Sequence, residues 1–322
     1  MTPPIIEPLY QHDVLGAGYE QATLNFPDDD EGPVTATLIR KQAATTTSKA
    51  VLYIHGFIDY FFQTEMAERF NQQGFDFYAL DLRKYGRSHL PHQKYYNVHD
   101  LAEYDAEISQ ALAIIGAEGH DAVLLSGHST GGLTTTLYAA HHPEHPLIKA
   151  LWVNSPFYDF NMNLIKKKWG LPNLSRIGKL CPDLKFPSEL NQFYVPSLHK
   201  TLHGEWDFNL DWKPTSYPLV RLSFVRATFE AQKEIHRGVT LSVPILVMHS
   251  HQSKNPKKWH TDVQSSDLIL DVKHIKKYAK KIKGDVTIQD IKNGLHDLVL
   301  SEKSVRENVY QQLFAWLKQK IG

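Results

Sequence analysis

The chain has 322 residues, of which 35 are Lys or Arg and 35 are Asp or Glu, so its formal net charge is zero. Without an excess of positive charge it lacks the electrostatic attraction that nucleic acids and anionic membrane surfaces require, and we expect neither as a partner. The length suits one large domain with an insertion, or two small domains. Cys181 is the only cysteine, which excludes an intrachain disulfide and favours a reducing compartment.

The first residues and the apolar runs bear on localisation. The opening sequence, MTPPIIEPLYQHDVLG, has neither the basic nor the apolar region of a secretory signal. No apolar run approaches the roughly 20 residues that a membrane-spanning helix needs. We therefore expect a cytoplasmic protein without stable membrane insertion. A homodimer is one assembly that the sequence leaves open.

The predicted secondary structure begins with a hairpin and then alternates between strands and helices. Residues 19–26 and 34–40 read as two antiparallel strands joined by the acidic turn PDDDEGP. Further strands are predicted at 51–54, 77–80, 122–125, 148–153, 244–248 and 286–291, and helices at 64–73, 100–115, 133–141, 272–282 and 305–318. This alternation predicts an α/β fold, with a mostly parallel central sheet covered by helices on both faces.

One segment, residues 155–238, interrupts the alternation with scattered Pro, Trp, Tyr and Phe. Because strands of the same predicted sheet lie on both sides of it, we interpret residues 155–238 as an inserted cap, and residues 1–154 and 239–322 as the core. Ligand pockets are mostly apolar with a few polar groups. The aromatic residues of the segment therefore predict that the cap covers the functional site and sets the choice of substrate.

The clearest motif is Gly127-His128-Ser129-Thr130-Gly131, which matches the pattern G-x-S-x-G. In this pattern a strand turns sharply into a helix and presents the serine in a strained conformation, so the positions two before and two after it must lack side chains. A predicted strand precedes Ser129, and small residues begin the helix that follows. Ser129 is therefore the candidate nucleophile.

Two backbone N–H groups are expected to stabilise the oxyanion that such a nucleophile generates. One belongs to Thr130, which follows the serine. The other is expected in the loop after an earlier strand, where the sequence YIHGF ends at Phe57. We interpret His55 in this loop as structural support, not as a base.

The general base is expected after the last strand, where the sequence KNGLHD contains His296. A histidine at this position would accept the proton of Ser129 and then pass it to the leaving group.

The carboxylate that orients His296 should follow the strand at 244–248, but the loop there is long and basic and has no carboxylate before Asp262. We assign the acid to Asp267, which is followed by an apolar pair and a helix cap. Asp262, Asp271 and, after the preceding strand, Asp159 are the alternatives.

The motifs YIHGF, DLRKYGRS, GHSTGG and NGLHD together resemble those of the α/β-hydrolase superfamily, in the branch of monoacylglycerol lipases and lysophospholipase-like esterases. The resemblance covers the core from about residue 51 to residue 296, with Lys84 where the family usually has glycine. It implies the α/β-hydrolase fold, a triad of Ser129, Asp267 and His296, and hydrolysis of an ester-like bond.

We expect a serine hydrolase that cleaves carboxylic esters through an acyl-enzyme, with no metal or organic cofactor. A monoacylglycerol or another ester with a short, apolar or aryl part is the expected small-molecule substrate. An amidase or aminopeptidase is one alternative, because the same triad cleaves amides. A non-catalytic binding protein is another, although such a protein would have no need to retain both Ser129 and His296.

Overall fold

The computed structural model describes residues 8–163 and 165–321. Residues 1–7, 164 and 322, which the prediction assigns to the core and the inserted segment, lie outside the described residues. The strands are β1 (Gln11–His12), β2 (Glu20–Asp29), β3 (Gly32–Lys41), β4 (Lys49–Ile54), β5 (Asp76–Asp81), β6 (Ala122–His128), β7 (Ile148–Asn154), β8 (Lys185–Phe186), β9 (Val220–Arg221), β10 (Ile245–Ser250) and β11 (Val286–Ile291). The α-helices are α1 (Thr64–Gln72), α2 (Asp105–Ala117), α3 (Thr130–His141), α4 (Leu171–Leu180), α5 (Tyr194–Leu198), α6 (Leu222–Arg237), α7 (Val272–Ala279) and α8 (Lys303–Ile321).

The central sheet has the strand order β1-β2-β3-β5-β4-β6-β7-β10-β11. The pairs from β5 to β11 along this order are parallel, whereas β1, β2 and β3 form an antiparallel edge. This edge contains the predicted hairpin, whose strands pair across the turn at Asp30 and Glu31. The carboxyl ends of β6, β7 and β10 therefore lie next to one another, where open α/β sheets bind their ligands.

Alternating side chains of each central strand point to opposite faces of the sheet, and each face has its own hydrophobic core. In β4, Leu52 and Ile54 belong to one core and Val51 and Tyr53 to the other. Helices α2, α3, α6 and α7 contribute buried residues to the first core, and α1 and α8 to the second. Burial on both faces explains why these strands are continuous apolar runs in the sequence.

The predicted helices differ from the observed ones mainly at their ends. Helix α3 begins at Thr130, three residues before its predicted start, because the helical conformation follows Ser129 directly. The predicted helix at 100–115 begins as a 3₁₀ turn, Leu101–Tyr104, and continues as α2. Asp100 caps this turn by accepting a hydrogen bond from the Ala102 N–H.

Residues 155–238 contain α4, α5, α6 and the two-stranded sheet of β8 and β9, and they connect β7 to β10. The 16-residue helix α6 returns to the core: Phe224, Ala227 and Ile235 are buried in the same hydrophobic core as α3. Within the described residues, none of the helices is long and apolar enough to cross a membrane.

Candidate active site

Ser129 lies at the sharp turn between β6 and α3. Its backbone has φ 53° and ψ −115°, a conformation that non-glycine residues rarely adopt. Such a conformation costs about 1–3 kcal/mol and is found mostly at functional sites. The strain arises because the chain leaves the sheet and enters a helix within one residue.

Two glycines make this turn sterically feasible. A Cβ on Gly127 would lie 2.3 Å from the carbonyl oxygen of Gly131. A Cβ on Gly131 would lie 2.3 Å from the carbonyl oxygen of Ile54 and 2.4 Å from that of His55. The G-x-S-x-G pattern therefore reflects close approach of the backbone of α3 to the ends of β6 and β4.

His296 lies beside Ser129, although 167 positions of sequence separate them. Its Nε2 atom is 3.0 Å from the Ser129 Oγ, and the residue is only 2% exposed. His296 belongs to the loop after β11, which brings it to the carboxyl end of the sheet. The distance is that of a hydrogen bond in which the serine hydroxyl donates to a neutral imidazole.

Asp267 lies on the other side of the His296 ring, with its Oδ2 atom 2.9 Å from Nδ1. The carboxylate is fully buried, and its Oδ1 atom accepts hydrogen bonds from the backbone N–H groups of Ile269 and Leu270, both at 2.8 Å. These two donors fix the orientation of the carboxylate. The carboxylate in turn favours the tautomer that carries a proton on Nδ1 and leaves Nε2 free to accept one.

The alternative acids have other partners. Asp262 is partly exposed and lies near Lys254 and His260. Asp271 caps helix α7 by accepting a hydrogen bond from the Lys273 N–H. Asp159 is paired with Lys167. None of these three carboxylates is hydrogen-bonded to His296 within the part of the chain that the structure describes.

Burial controls the basicity of the histidine. It lowers the pKa of His296, and the charge of Asp267 and its hydrogen bond oppose this shift without cancelling it. The imidazole is therefore neutral at pH 7, which is the form that can accept the proton of Ser129.

Thr130 and Phe57, the two residues predicted to supply oxyanion donors, both line the cavity in which Ser129 lies. Thr130 is the first residue of α3, and Phe57 is in the loop after β4. Neither N–H donates a hydrogen bond to another group among residues 8–163 and 165–321. Unpaired N–H groups beside a nucleophile are suited to bind a developing oxyanion, and the helix dipole of α3 adds to this potential.

His55 braces the loop that contains Phe57. Its Nδ1 atom is 2.7 Å from the Gly56 carbonyl oxygen, and its Nε2 atom accepts a hydrogen bond from the Leu82 N–H. Both ring nitrogens are thus engaged in holding the loop against β5, so neither is available to act as a base.

A cavity of about 380 Å³ opens onto Ser129 and His296. Residues of the 155–238 segment form much of its wall, and most of them are apolar, among them Phe157, Phe160, Leu174 and Phe224. This volume is at the lower end of the range for small-molecule pockets. The wall is therefore suited to an apolar group of moderate size.

Two buried carboxylates near the site have partners that were not predicted from the sequence. The Asp297 carboxylate, next to His296, accepts hydrogen bonds from Asn154 at 2.7 Å and from Gln63 at 3.0 Å. Asp59 in the cavity wall forms an ion pair with Lys213, which belongs to the 155–238 segment. Asp297 is the last residue of the motif NGLHD, and Asp59 lies two residues after the motif YIHGF, but no local pattern identifies their distant partners.

A serine at a strained turn after a central parallel strand, with a histidine supplied by the loop after the last strand, is the arrangement found in α/β-hydrolases. The protein is a hydrolase of this superfamily. Residues 45–304 match the family described as Serine aminopeptidase, S33, and the chain belongs to that family. The superfamily predicted from the motifs is thus confirmed.

Known proteins are similar to this chain at low sequence identity. The chain is 22% identical over 216 residues to the AB hydrolase superfamily protein YisY of Bacillus subtilis (strain 168), a match that covers 64% of this chain and 75% of YisY. The structure is similar to a soluble variant of monoglyceride lipase from Saccharomyces cerevisiae, with a TM-score of 0.65, 16% identity, and coverage of 99% of this chain and 97% of the lipase. It is also similar to the monoacylglycerol lipase of Paleococcus ferrophilus, with a TM-score of 0.62, 17% identity, and coverage of 92% and 98%.

Proposed function

We propose that the protein is a serine esterase that hydrolyses carboxylic esters through a covalent acyl-enzyme. The observation that carries this proposal is the line of hydrogen bonds from Ser129 through His296 to Asp267, at 3.0 and 2.9 Å, beside the unpaired N–H groups of Phe57 and Thr130. Nucleophile, base, orienting acid and oxyanion donors are the parts that acyl transfer requires.

In the first half of the reaction, the Ser129 Oγ attacks the ester carbonyl carbon while His296 Nε2 takes the hydroxyl proton. The carbonyl oxygen becomes an oxyanion, which accepts hydrogen bonds from the N–H groups of Phe57 and Thr130. When the tetrahedral intermediate collapses, the bond to the alcohol oxygen breaks and His296 donates its proton to that oxygen. The alcohol leaves, and the acyl group remains esterified to Ser129.

In the second half, water takes the place of the alcohol. His296 removes a proton from the water as its oxygen attacks the acyl carbon, and the same N–H groups stabilise the second oxyanion. Collapse breaks the bond to the Ser129 Oγ, which recovers its proton from His296. The carboxylic acid leaves, and the enzyme returns to its initial state. Asp267 keeps the imidazole in one tautomer and stabilises the imidazolium in both halves.

The charges of the cavity favour an ester over an aminopeptidase substrate. A free α-ammonium group is attracted most strongly by a carboxylate whose charge no other cation neutralises. Among the described residues that line the cavity, the carboxylates are Asp59 and Glu189, and each is paired with a lysine, Lys213 and Lys166 respectively. The rest of the wall is mostly apolar, which suits an acyl or aryl group, and a monoacylglycerol is one such ester.

A panel of substrates tests the proposal. We expect the protein to hydrolyse p-nitrophenyl esters of graded acyl length, and a monoacylglycerol, faster than leucine p-nitroanilide. Ser129→Ala should abolish ester hydrolysis. Ser126→Ala is the matched control, because Ser126 is another buried serine, three residues earlier in β6, and does not line the cavity. Hydrolysis of the anilide alone would favour the aminopeptidase alternative, and equal activity of the Ser129→Ala variant would refute the proposal.

A further inference from the structure

An ion pair inside the cavity joins the loop after β4 to the 155–238 segment. The Nζ atom of Lys213 is 2.7 Å from the Oδ1 atom of Asp59, and the two side chains are 4% and 1% exposed. Burial alone would raise the pKa of the Asp59 carboxyl, but the Lys213 ammonium and the His128 imidazole hold that pKa well below its usual range. Asp59 is therefore ionised, and the pair as a whole is electrically neutral.

A buried ion pair is a poor means of gaining stability, because the desolvation of both charges offsets much of their attraction. Its position in this protein points to another role. Asp59 is two residues from Phe57, whose N–H is one of the two unpaired donors beside Ser129. The carboxylate thus lies on the segment of backbone that must present this N–H to the oxyanion.

The backbone between these two residues is strained. Ile58 has φ 52°, in the left-handed region, which is rarely adopted by β-branched residues. A strained residue keeps its conformation only where the surroundings hold it. The Asp59 Oδ1 atom accepts a hydrogen bond from the Tyr60 N–H at 3.0 Å, and Oδ2 lies 3.6 Å from the Nδ1 of His128. Together with Lys213, these contacts hold the carboxylate of the residue that directly follows Ile58.

The 155–238 segment also contacts Phe57, the residue that directly precedes Ile58. The ring of Phe57 stacks on the ring of Phe224 in α6, with centroids 4.0 Å apart and planes inclined by 18°. The 155–238 segment thus contacts the loop on both sides of the strained residue, through an ion pair at Asp59 and through ring stacking at Phe57.

We propose that the 155–238 segment positions the Phe57 N–H for oxyanion binding, and that Lys213 does so by holding Asp59. Lys213 and Asp59 are positioning residues: they act through the Phe57 backbone and not on the substrate. The proposal rests on the esterase function proposed above. It means that the oxyanion site is complete only while this segment keeps its contacts with the loop.

The proposal is tested by a variant that removes both charges at once, because removing only one would leave the other buried without a partner. In Asp59→Asn/Lys213→Met we expect kcat for ester hydrolysis to fall about 100-fold, as for the loss or misplacement of one oxyanion donor. KM should change by less than about threefold. Arg83→Met/Glu107→Gln is the matched control, because that pair is also buried but does not line the cavity. The control should keep the wild-type kcat whatever its melting temperature.

A ligand that forms an oxyanion when it binds can distinguish a misplaced Phe57 N–H from general damage to the cavity. An alkyl trifluoromethyl ketone adds to the serine as a hemiketal anion, whereas the corresponding secondary alcohol only fills the cavity. We expect the double variant to bind the ketone about 100-fold more weakly and the alcohol as tightly as the wild type does. If the double variant does not fold, Phe224→Leu removes the stacked ring; because Phe224 also lines the cavity, both ligands should bind more weakly, but the ketone severalfold more so than the alcohol.

The outcomes are distinct. Wild-type kcat and ketone binding in the folded double variant, or in Phe224→Leu if only that variant folds, would overturn the proposal. So would a loss confined to KM for substrates that carry a negative charge, because Lys213 would then bind substrate directly. Absence of esterase activity from the wild-type protein would instead refute the proposed function, on which this inference depends.

Discussion

Asn154 donates a hydrogen bond of 2.7 Å to the Asp297 carboxylate, and this contact joins the end of β7 to the residue that follows His296. The same asparagine accepts a hydrogen bond from the Leu298 N–H at 3.2 Å. Gln63, just before α1, donates to the other oxygen of Asp297. The loop with the candidate base is thus anchored by buried polar groups from two other parts of the fold.

Removing the Asp297 carboxylate should destabilise the protein. Asp297→Ala leaves the Asn154 amide buried without this acceptor, and the Gln63 amide keeps only its contact with the Tyr53 hydroxyl. A buried polar group left unsatisfied costs about 1–3 kcal/mol. We expect urea denaturation to show a decrease of at least about 1 kcal/mol in the free energy of unfolding. Asp262→Ala, which removes a partly exposed carboxylate, should stay within about 0.5 kcal/mol of the wild type. Equal stability of the two variants would contradict the anchoring role.

The pH dependence of the esterase should reflect His296. The base must be neutral to accept the Ser129 proton, and burial lowers its pKa below the ordinary value of about 6.5. Activity should therefore be lost as the pH falls through this lowered pKa, and kcat/KM should have reached its plateau by pH 7. The acidic limb of a kcat/KM profile measures this value in the free enzyme. An apparent pKa above 6.5 would contradict the assignment.

The three aspartates around the β10–α7 connection should differ sharply in their effect on catalysis. Asp267→Asn keeps the shape of the side chain but can stabilise the wrong imidazole tautomer, which costs about 10⁴ in kcat in a serine triad. Asp262→Asn should have little effect, because Asp262 is on the surface near Lys254. Asp271→Asn should also stay near wild type, because asparagine is an equally good helix cap. A comparable loss of kcat in Asp262→Asn or Asp271→Asn would contradict the assignment of Asp267 as the orienting acid.

The role of residues 155–238 as a specificity-determining cap is a prediction that acyl-chain preference can test. Phe160 and Leu174 line the cavity and are only partly buried, so truncating them should affect ligand contacts more than stability. We expect Phe160→Ala and Leu174→Ala to change the ratio of kcat/KM for long and short esters by about 10-fold or more, equivalent to about 1–3 kcal/mol.

Leu180→Ala is the control for the cap variants, since Leu180 is 82% exposed at the end of α4 and does not line the cavity. It should retain the wild-type ratio. If the two cavity variants also retain the wild-type ratio and only melt at lower temperature, the segment is structural.

The sequence identified those parts of the site that local geometry dictates. The positions of Gly127 and Gly131 follow from the close backbone contacts at the turn, and they leave a pattern around Ser129 that can be read without a structure. The parallel core was predictable for a similar reason, because strands buried on both faces, such as β4, are continuous apolar runs.

Long-range contacts were not predictable in the same way. Lys213 reaches Asp59 across 154 positions, and Asn154 reaches Asp297 across 143. Neither lysine nor asparagine stands in a motif, and each partner is set by how the inserted segment and the loops fold onto the sheet. Helix α6 was not predicted, although its buried residues, among them Phe224, Ala227, Ala231 and Ile235, recur at helical spacing.

The central claim, that Ser129 is the residue that becomes acylated, is tested most directly by covalent labelling. A fluorophosphonate probe reacts with a serine only where a base and an oxyanion site activate it. Peptide mapping by mass spectrometry of the labelled wild-type protein should place the adduct on Ser129, with the Ser129→Ala variant unlabelled and Ser126→Ala labelled like the wild type. An adduct on another residue, or equal labelling of the Ser129→Ala variant, would contradict the account.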